Sequence, residues 1–185
     1  TFGGLSGQRN LSLQNASAAA VALTVGNNNS STAYSGILSG SGSLTKIGTG
    51  TLTLSGTNTF TGATTIAEGT ISAGNIVVSG GGSNLGNAAS AVILGDAARQ
   101  GVLSYTGNSA TYTRGFTVNA GGGEIDVTTA GQTLTVGTSG ISNGGALTID
   151  GAGNTSISSV ISGTGSLTKT GTGTLALSGV NTHGG

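Results

Sequence analysis

The chain has 185 residues, of which 38 are glycine and only 5% are charged, and its formal net charge is zero. It contains no cysteine, which excludes a disulfide framework and a thiolate metal site, and its basic residues are scattered, which argues against a nucleic-acid partner. Apolar residues reach 35% and recur at strand spacing, so the chain is not disordered; it is not collagen-like either, since its glycines have no three-residue period.

Membrane and targeting signals are also missing from the sequence. No stretch approaches the roughly 18 consecutive apolar residues of a membrane-spanning helix, and no charged-then-apolar segment opens the chain. The lack of cysteine suits a protein that crosses an oxidising periplasm unfolded. We therefore expect any targeting segment to lie outside this piece of a longer protein.

Alternation of apolar and polar residues predicts short strands along the chain, separated by glycine-rich turns. In chain order, the predicted strands are 10–13, 20–26, 51–54, 64–66, 70–71, 76–78, 91–94, 101–105, 110–113, 116–119, 123–127, 132–136, 146–149 and 174–177. The stretch Gly80 to Ala89 is the longest break in this pattern. It is expected to leave the stack of strands and to have room for one helical turn.

One stretch of the chain occurs twice. Gly40 to Gly62 aligns with Gly163 to Gly185 at a shift of 123 residues, and 17 of the 23 positions are identical. A fixed internal repeat is typical of architectures in which each unit buries its apolar face against neighbouring units. The whole chain, 1–185, is therefore predicted to be one continuous solenoid segment, with repeat units at about 35–72 and 158–185.

Each repeat unit is predicted to be a turn, a short strand and a second turn. Because side chains alternate along a strand, Leu52 and Leu54 point inward, and Leu175 occupies the place of Leu52 in the second copy. Lys46 and Lys169 also occupy equivalent positions. A bend before each lysine is expected to bring its amine out to water, while its stem covers apolar surface.

These patterns predict an all-β fold, a parallel β-helix or β-solenoid with about three short strands per coil. A sandwich or a barrel would also accommodate many short strands, and the internal repeat selects the solenoid. At about 20 to 25 residues per coil the chain would form roughly eight coils and a rod about 40 Å long. Neither end has an obvious cap, which predicts a fragment of a longer solenoid and favours end-to-end self-association.

The run LTKxGTGTLxLSGxNT, followed in the first copy by FTGATTIAEGTI, resembles the autotransporter-associated β-strand repeat, also called the passenger-associated transport repeat. The motif covers Ser35 to Ser72 and Ser158 to Gly185, and the second copy departs from it at His183, where Phe60 stands in the first. The resemblance implies a right-handed parallel β-helix on the surface of a Gram-negative bacterium, associated with the outer membrane through its parent protein. It also implies two partners, the neighbouring coils of the parent chain and an outer-membrane translocator barrel.

Acidic residues are the main candidates for chemistry. Glu124 and Asp126 lie two apart on one predicted strand, so both carboxylates face outward, and Asp150 or Asp96 could approach from another coil. Paired carboxylates suit glycosidic cleavage, and parallel β-helices host such enzymes. An ordinary solvated strand face is the simpler interpretation. His183 has no partners in a recognisable catalytic order.

The sequence thus predicts no catalytic, cofactor-binding or metal-binding residue and no cofactor. It favours a structural, non-enzymatic segment of a secreted or surface-displayed passenger, a stalk that assists its own secretion. Two alternatives stay open: an adhesin-type module that binds glycans or host proteins through its side face or Gly80 to Ala89, and a polysaccharide-acting enzyme. Phe60 is expected to cover a coil edge rather than to serve as a ligand platform. Outward Thr-x-Thr pairs, such as Thr133 and Thr135, favour ice binding only weakly, since threonine is common on exposed strands.

Overall fold

The computed structural model describes residues 1–78 and 80–184. This part of the chain consists of short β-strands joined by turns and contains no helix. The strands are β1 (Leu11–Ser12), β2 (Leu23–Val25), β3 (Thr32–Tyr34), β4 (Leu38–Ser39), β5 (Leu44–Lys46), β6 (Thr51–Leu54), β7 (Thr64–Ile66), β8 (Gly69–Ala73), β9 (Val92–Leu94), β10 (Gly101–Tyr105), β11 (Ala110–Tyr112), β12 (Phe116–Val118), β13 (Gly123–Val127), β14 (Thr133–Val136), β15 (Ile141–Asn143), β16 (Leu147–Asp150), β17 (Asn154–Ile157), β18 (Ile161–Ser162), β19 (Leu167–Lys169) and β20 (Leu175–Leu177).

The strands form three faces of a solenoid, which the chain visits in a fixed order. Face A contains β2, β5, β7, β9, β12, β15 and β18, and face B contains β3, β6, β8, β10, β13, β16 and β19. Face C is divided into a pair, β1 and β4, and a four-stranded sheet of β11, β14, β17 and β20. Neighbouring strands within each face are parallel. The predicted parallel β-solenoid is confirmed.

The solenoid has about seven coils, one fewer than expected. Most coils are of similar length, as where Leu44 pairs with Thr64 and Phe116 with Ile141. The coil that contains the predicted break is longer, because Thr65 has Ile93 as its next partner on face A. The additional residues of this coil loop out of the stack instead of contributing to a further coil.

Inward-facing residues of successive coils stack in columns that form the core. One column on face A consists of Leu23, Leu44, Thr64, Val92, Phe116, Ile141 and Ile161. Its apolar members are at most 4% exposed. Complete burial of such a side chain stabilises the fold by about 1.5 to 3 kcal/mol. The one hydroxyl in the column, that of Thr64, donates to the carbonyl of Leu85 at 2.9 Å.

The predicted inward leucines of the repeat lie in such columns. Leu52 is 1% exposed and stacks between Thr32 and Ile71 on face B. Leu175 pairs with Thr155 on face C, in the last described coil, and is half-buried because no further face C strand follows within the described residues.

The prediction that the amine of Lys46 reaches water is wrong. Lys46 is 1% exposed and lies in an inner column of face A, between Val25 and Ile66. Its Nζ turns into the corner of the coil and donates to the carbonyls of Ile47 (2.9 Å) and Gly48 (2.7 Å). Burial lowers the pKa of Lys46, and the nearby carboxylate of Glu68 opposes that effect. The strand continues straight through the lysine, so the expected bend comes one residue too late to expose it.

The two copies of the repeat occupy different faces. In the first copy, the Leu-Thr-Lys strand is β5 on face A and the next strand, β6, lies on face B. In the second copy, the same residues form β19 on face B, and β20 lies on face C. The shift of 123 residues is therefore five coils plus one face, so the repeat does not correspond to a whole number of coils.

Two local predictions near the break are also wrong. Residues 76–78 do not form a strand: Ile76 is fully buried, but this segment lies outside every described sheet. The described residues of Gly80 to Ala89 form turns instead of a helical turn. Ser83 explains this, because its hydroxyl accepts the N–H of Leu85 and donates to the carbonyl of Gly86, which has a φ of 78°.

Candidate functional site

Face C is interrupted in the middle of the solenoid. Between β4 and β11 no described residue contributes a strand to this face, and residues 74–91 pass across it as a long connection. We name this connection the excursion; it includes Gly80 to Ala89, and Ser79 lies outside the described residues. Glycine and asparagine are abundant here, and they favour turns over continuous strands.

Asparagine side chains fix the excursion to the solenoid. The Asn84 Oδ1 atom accepts the N–H groups of Gly74 (3.0 Å) and Asn75 (2.7 Å), so it closes the base of the excursion. Asn58, in the coil before, forms an antiparallel bridge with Ser83 and donates from Nδ2 to the carbonyl of Asn84 at 2.6 Å. Asn58 and Asn84 are buried, so these bonds are protected from competing water.

A groove of about 360 Å³ lies between the excursion and the chain that follows β11. Residues 76–78 and 87–89 line one side of the groove, and residues 112–114 line the other. Ile76, Val77, Val78 and two alanines make the excursion side largely apolar. The volume lies within the range of about 300 to 1,000 Å³ that is usual for ligand sites.

Arg114 lies buried at this groove. The residue is 7% exposed; its Nε donates to the carbonyl of Ser90 at 3.0 Å, and its Nη1 donates to that of Leu85 at 3.1 Å. Nη2 has no hydrogen-bond partner, and no carboxylate forms an ion pair with Arg114 among residues 1–78 and 80–184. A buried guanidinium without a counter-ion is costly, so it favours an anion at this place.

Tyr112 presents a second donor beside Arg114. Its hydroxyl is buried and has no partner within the part of the chain that the structure describes. Burial raises the pKa of Tyr112 to about 12, while the charge of Arg114 acts in the opposite direction. The hydroxyl is therefore protonated at neutral pH and available to donate. The ring packs against Phe116 with the centroids 4.8 Å apart, which fixes its orientation.

Strand β11 has a free edge on the groove side. Among the described strands it pairs only with β14, and the N–H of Gly137 donates to the carbonyl of Tyr112 at 2.9 Å. Because alternate residues of a parallel ladder face the same neighbour, the backbone groups of Thr111 and Thr113 point away from β14. No backbone hydrogen bond joins either threonine to the described residues of the excursion.

The site thus combines an apolar wall, two buried donors without partners and a free strand edge. Such a set binds and orients a ligand; its described residues include no paired acid and base. Sequence reasoning missed both Arg114 and Tyr112 as site residues. A signal was present, because Arg114 follows Tyr112 by two positions and so has the inward parity of a core residue.

The predicted acidic cluster exists on the outside of face B. Asp126 pairs directly with Asp150 of the next coil, and Glu124 lies two residues away on the same strand. Burial raises the pKa of Glu124 and of Asp126, and the charge of Asp150 adds to both effects. Asp96 does not join the cluster. It accepts the N–H groups of Ala98 and Arg99 at a corner, and these bonds lower its pKa.

The remaining candidates have structural positions. Phe60 is fully buried beneath the excursion, where a Cβ at Gly86 would lie 2.7 Å from its ring. The Thr-x-Thr pairs are divided between faces, with Thr51 and Thr53 on face B and Thr133 and Thr135 on face C. His183 lies half-buried near the end of the described chain.

The described residues provide neither a metal-binding cluster nor a membrane-spanning helix. In 1–78 and 80–184, no group of three or more His, Cys, Asp or Glu could hold a metal ion. The same residues contain no helix long and apolar enough to cross a membrane.

Comparison with known proteins points to one family. The family model described as passenger-associated-transport-repeat matches residues 44–73 and 167–185, which are the two copies of the repeat. An adhesin autotransporter, BmaC of Brucella suis biovar 1 (strain 1330), is 37% identical over 128 residues. The chain belongs to the autotransporter passenger repeat proteins.

The matched part is 67% of this passenger repeat protein but 3% of the Brucella adhesin, so the chain spans a small piece of the curated relative's length. No solved structure matches the chain. As an autotransporter passenger repeat protein, it is a surface-displayed segment, and its parent is associated with the cell surface or the outer membrane.

Proposed function

We propose that this segment is a structural, non-enzymatic stalk of an autotransporter passenger and that its folding assists its own secretion. The observation that supports this is the unbroken stacking of parallel strands on faces A and B through seven coils. Each coil satisfies the backbone groups of the one before it, so a folded coil is a template for the next. A coil that has folded outside the cell cannot slip back through a narrow pore, so folding favours outward movement.

The partners in this proposal follow from the role. The neighbouring coils of the parent chain stack on the two ends, and an outer-membrane translocator barrel is the route of export. Coils of equal length suit stepwise addition, and the steps from Leu44 to Thr64 and from Leu147 to Leu167 are equal.

A proline in the stack tests the proposal. Thr53→Pro in the full-length parent removes a backbone donor from the middle of β6, which pairs on both sides. We expect surface display, measured by antibody labelling of intact cells, to fall at least several-fold. Ala97→Pro is the matched control, because Ala97 is exposed in the turn after Asp96, where proline is well tolerated. Undiminished display of the Thr53→Pro parent would contradict the secretion role.

A second function is favoured by one observation, the groove at the interruption of face C. We propose that the excursion makes this segment an adhesin-type binding module as well as a stalk. A stalk alone requires no groove with a buried, unpaired guanidinium such as that of Arg114. Deleting 76–90 from the parent and bridging the gap with a short glycine linker should leave display intact and reduce adhesion to host cells. Unchanged adhesion would contradict the binding role.

The polysaccharide-acting alternative gains support only from the carboxylates of face B. These lie on an outer strand surface, away from the groove, which is on the face C side. We therefore propose no enzymatic activity for this segment.

A further inference from the structure

We propose that the groove binds an extended peptide that carries a carboxylate, and that this peptide adds a strand to the free edge of β11. The proposal rests on the binding role of the excursion and is independent of the secretion role. The partner would thus be a protein segment with an accessible extended chain end or an acidic side chain.

The backbone of β11 provides the first part of the argument. Thr111 and Thr113 direct their N–H and C=O groups towards the groove, and neither has a backbone partner among the described residues there. An unpaired strand edge is a template for another strand. The corresponding edges of β14 and β17 are covered by the coil before, whereas the described part of the excursion leaves that of β11 without a paired strand.

Charge provides the second part. Arg114 is a buried cation with one unsatisfied N–H group, and the hydroxyl of Tyr112 is a second unsatisfied donor. No acidic residue is among the described residues that line the groove. Both donors are shielded from water, so their attraction for an anion is weakly screened. A carboxylate is planar and accepts two hydrogen bonds, which matches a guanidinium and a hydroxyl side by side.

The apolar wall provides the third part. Ile76, Val77 and Val78 line the groove opposite residues 112–114, and Val78 is 38% exposed. In an extended peptide, alternate side chains point to the same side, so an aliphatic residue beside the carboxylate would face this wall.

An acidic sugar would satisfy the cation but not the rest of the site. Sugar sites commonly use an exposed aromatic ring, and five of the six aromatic side chains here are at most 3% exposed. The exposed ring, Phe2, lies on the first residues of the chain and pairs with Val25 of face A, far from the excursion. The edge and the wall therefore favour a peptide.

Binding can be tested on the 185-residue chain with synthetic probes. The reference probe is an acetylated hexapeptide of alternating threonine and valine with a free carboxyl terminus. Three matched probes are its carboxyl-terminal amide, its backbone N-methylated form and a glucuronate oligosaccharide. Binding is followed by amide chemical shifts of the labelled protein, with the largest shifts expected at Thr111 and Thr113.

We expect the amide probe to bind about tenfold more weakly than the carboxylate, because a charge-assisted hydrogen bond is lost. The N-methylated probe should not bind, since it cannot pair with the strand edge. Equal binding of acid and amide, binding of the N-methylated form, binding of the sugar alone, or no binding of any probe would each overturn the proposal. A loss of this kind would leave the secretion proposal untouched, because that is measured on the parent by surface display.

Two variants locate the site. Tyr112→Phe should lower the affinity for the carboxylate probe about fivefold without lowering the melting temperature, because the hydroxyl has no partner among the described residues of the free protein. Arg114→Gln should abolish the difference between acid and amide probes. Arg9→Gln, at an exposed arginine, is the control and should change neither value. Full affinity in the Tyr112→Phe protein, or an acid preference that persists in Arg114→Gln, would contradict the assignment.

Discussion

The two copies of the repeat are identical at 17 of 23 positions, yet the first lies on faces A and B and the second on faces B and C. Their local hydrogen bonds are nevertheless the same. Lys46 and Lys169 each donate to the carbonyls of the two following residues. Gly48 and Gly171 both have positive φ, 70° and 64°, at the corner that follows.

The asparagines of the two copies repeat this agreement. Asn58 Oδ1 accepts the N–H of Leu38 at 2.8 Å, and Asn181 Oδ1 accepts that of Ile161 at 2.9 Å, so each bonds to the same place in the coil before. The repeat therefore specifies a corner with its two flanking strands, and it fits the corner between A and B as well as the corner between B and C. What differs between the copies is burial, because the first has described coils on both sides.

The largest difference between the copies is expected at the inward leucine. Leu52→Ala should lower the free energy of unfolding by about 3 kcal/mol, since it leaves a cavity between two coils. Leu175→Ala should lower it by about 1 kcal/mol, because the side chain is already half-exposed. Urea unfolding measures both. Equal losses would show that the copies have the same surroundings in solution.

The motif asparagine should show the next largest difference. Asn58→Ala removes one bond to Leu38 and one to Asn84 in a fully buried site, and we expect a loss of about 2 kcal/mol. Asn181→Ala removes a single bond at a half-buried site, with an expected loss below about 1 kcal/mol. Thermal melts compare the two proteins. A greater effect at Asn181 than at Asn58 would contradict the assignment.

The motif lysine should show a smaller difference. Lys46→Ala empties part of an inner column and takes this donor from the carbonyls of the corner, so we expect a loss of about 1 to 2 kcal/mol. Lys169→Ala changes a half-buried side chain in the last described coil and should stay within about 0.5 kcal/mol of the parent protein. If urea unfolding gave the same midpoint for both variants, the burial of Lys46 would be in error.

The smallest effect is a dependence on pH. Because burial lowers the pKa of Lys46 below the usual 10.5, the unfolded state binds the proton more tightly. The free energy of unfolding should therefore rise slightly as the pH increases from the folded-state pKa towards 10.5, and urea unfolding at a series of pH values measures this rise. Lys46→Met should lose this rise, and Lys169→Met should keep it. A rise that persists in Lys46→Met would assign it to another group.

Sequence reasoning came close to the fold and fell short at the site. Alternation of Leu52 and Leu54 with threonine is a local property, so the strand and its inward face could be read directly. Lys46 could not be placed, because its burial depends on carbonyls of a corner whose shape forms only when the coils stack. Arg114 and Tyr112 form a site only because the excursion, from an earlier coil, passes over them.

The chain alone determined that it forms short parallel strands with glycine corners, because strand alternation and turn preference act between residues close in sequence. It also determined membership of the repeat family, since the motif is a local corner. Tertiary structure decided which face each copy occupies, where face C is interrupted and which strand edge stays open. These features depend on the number of residues between contacts in successive coils, which only the stacked structure reveals.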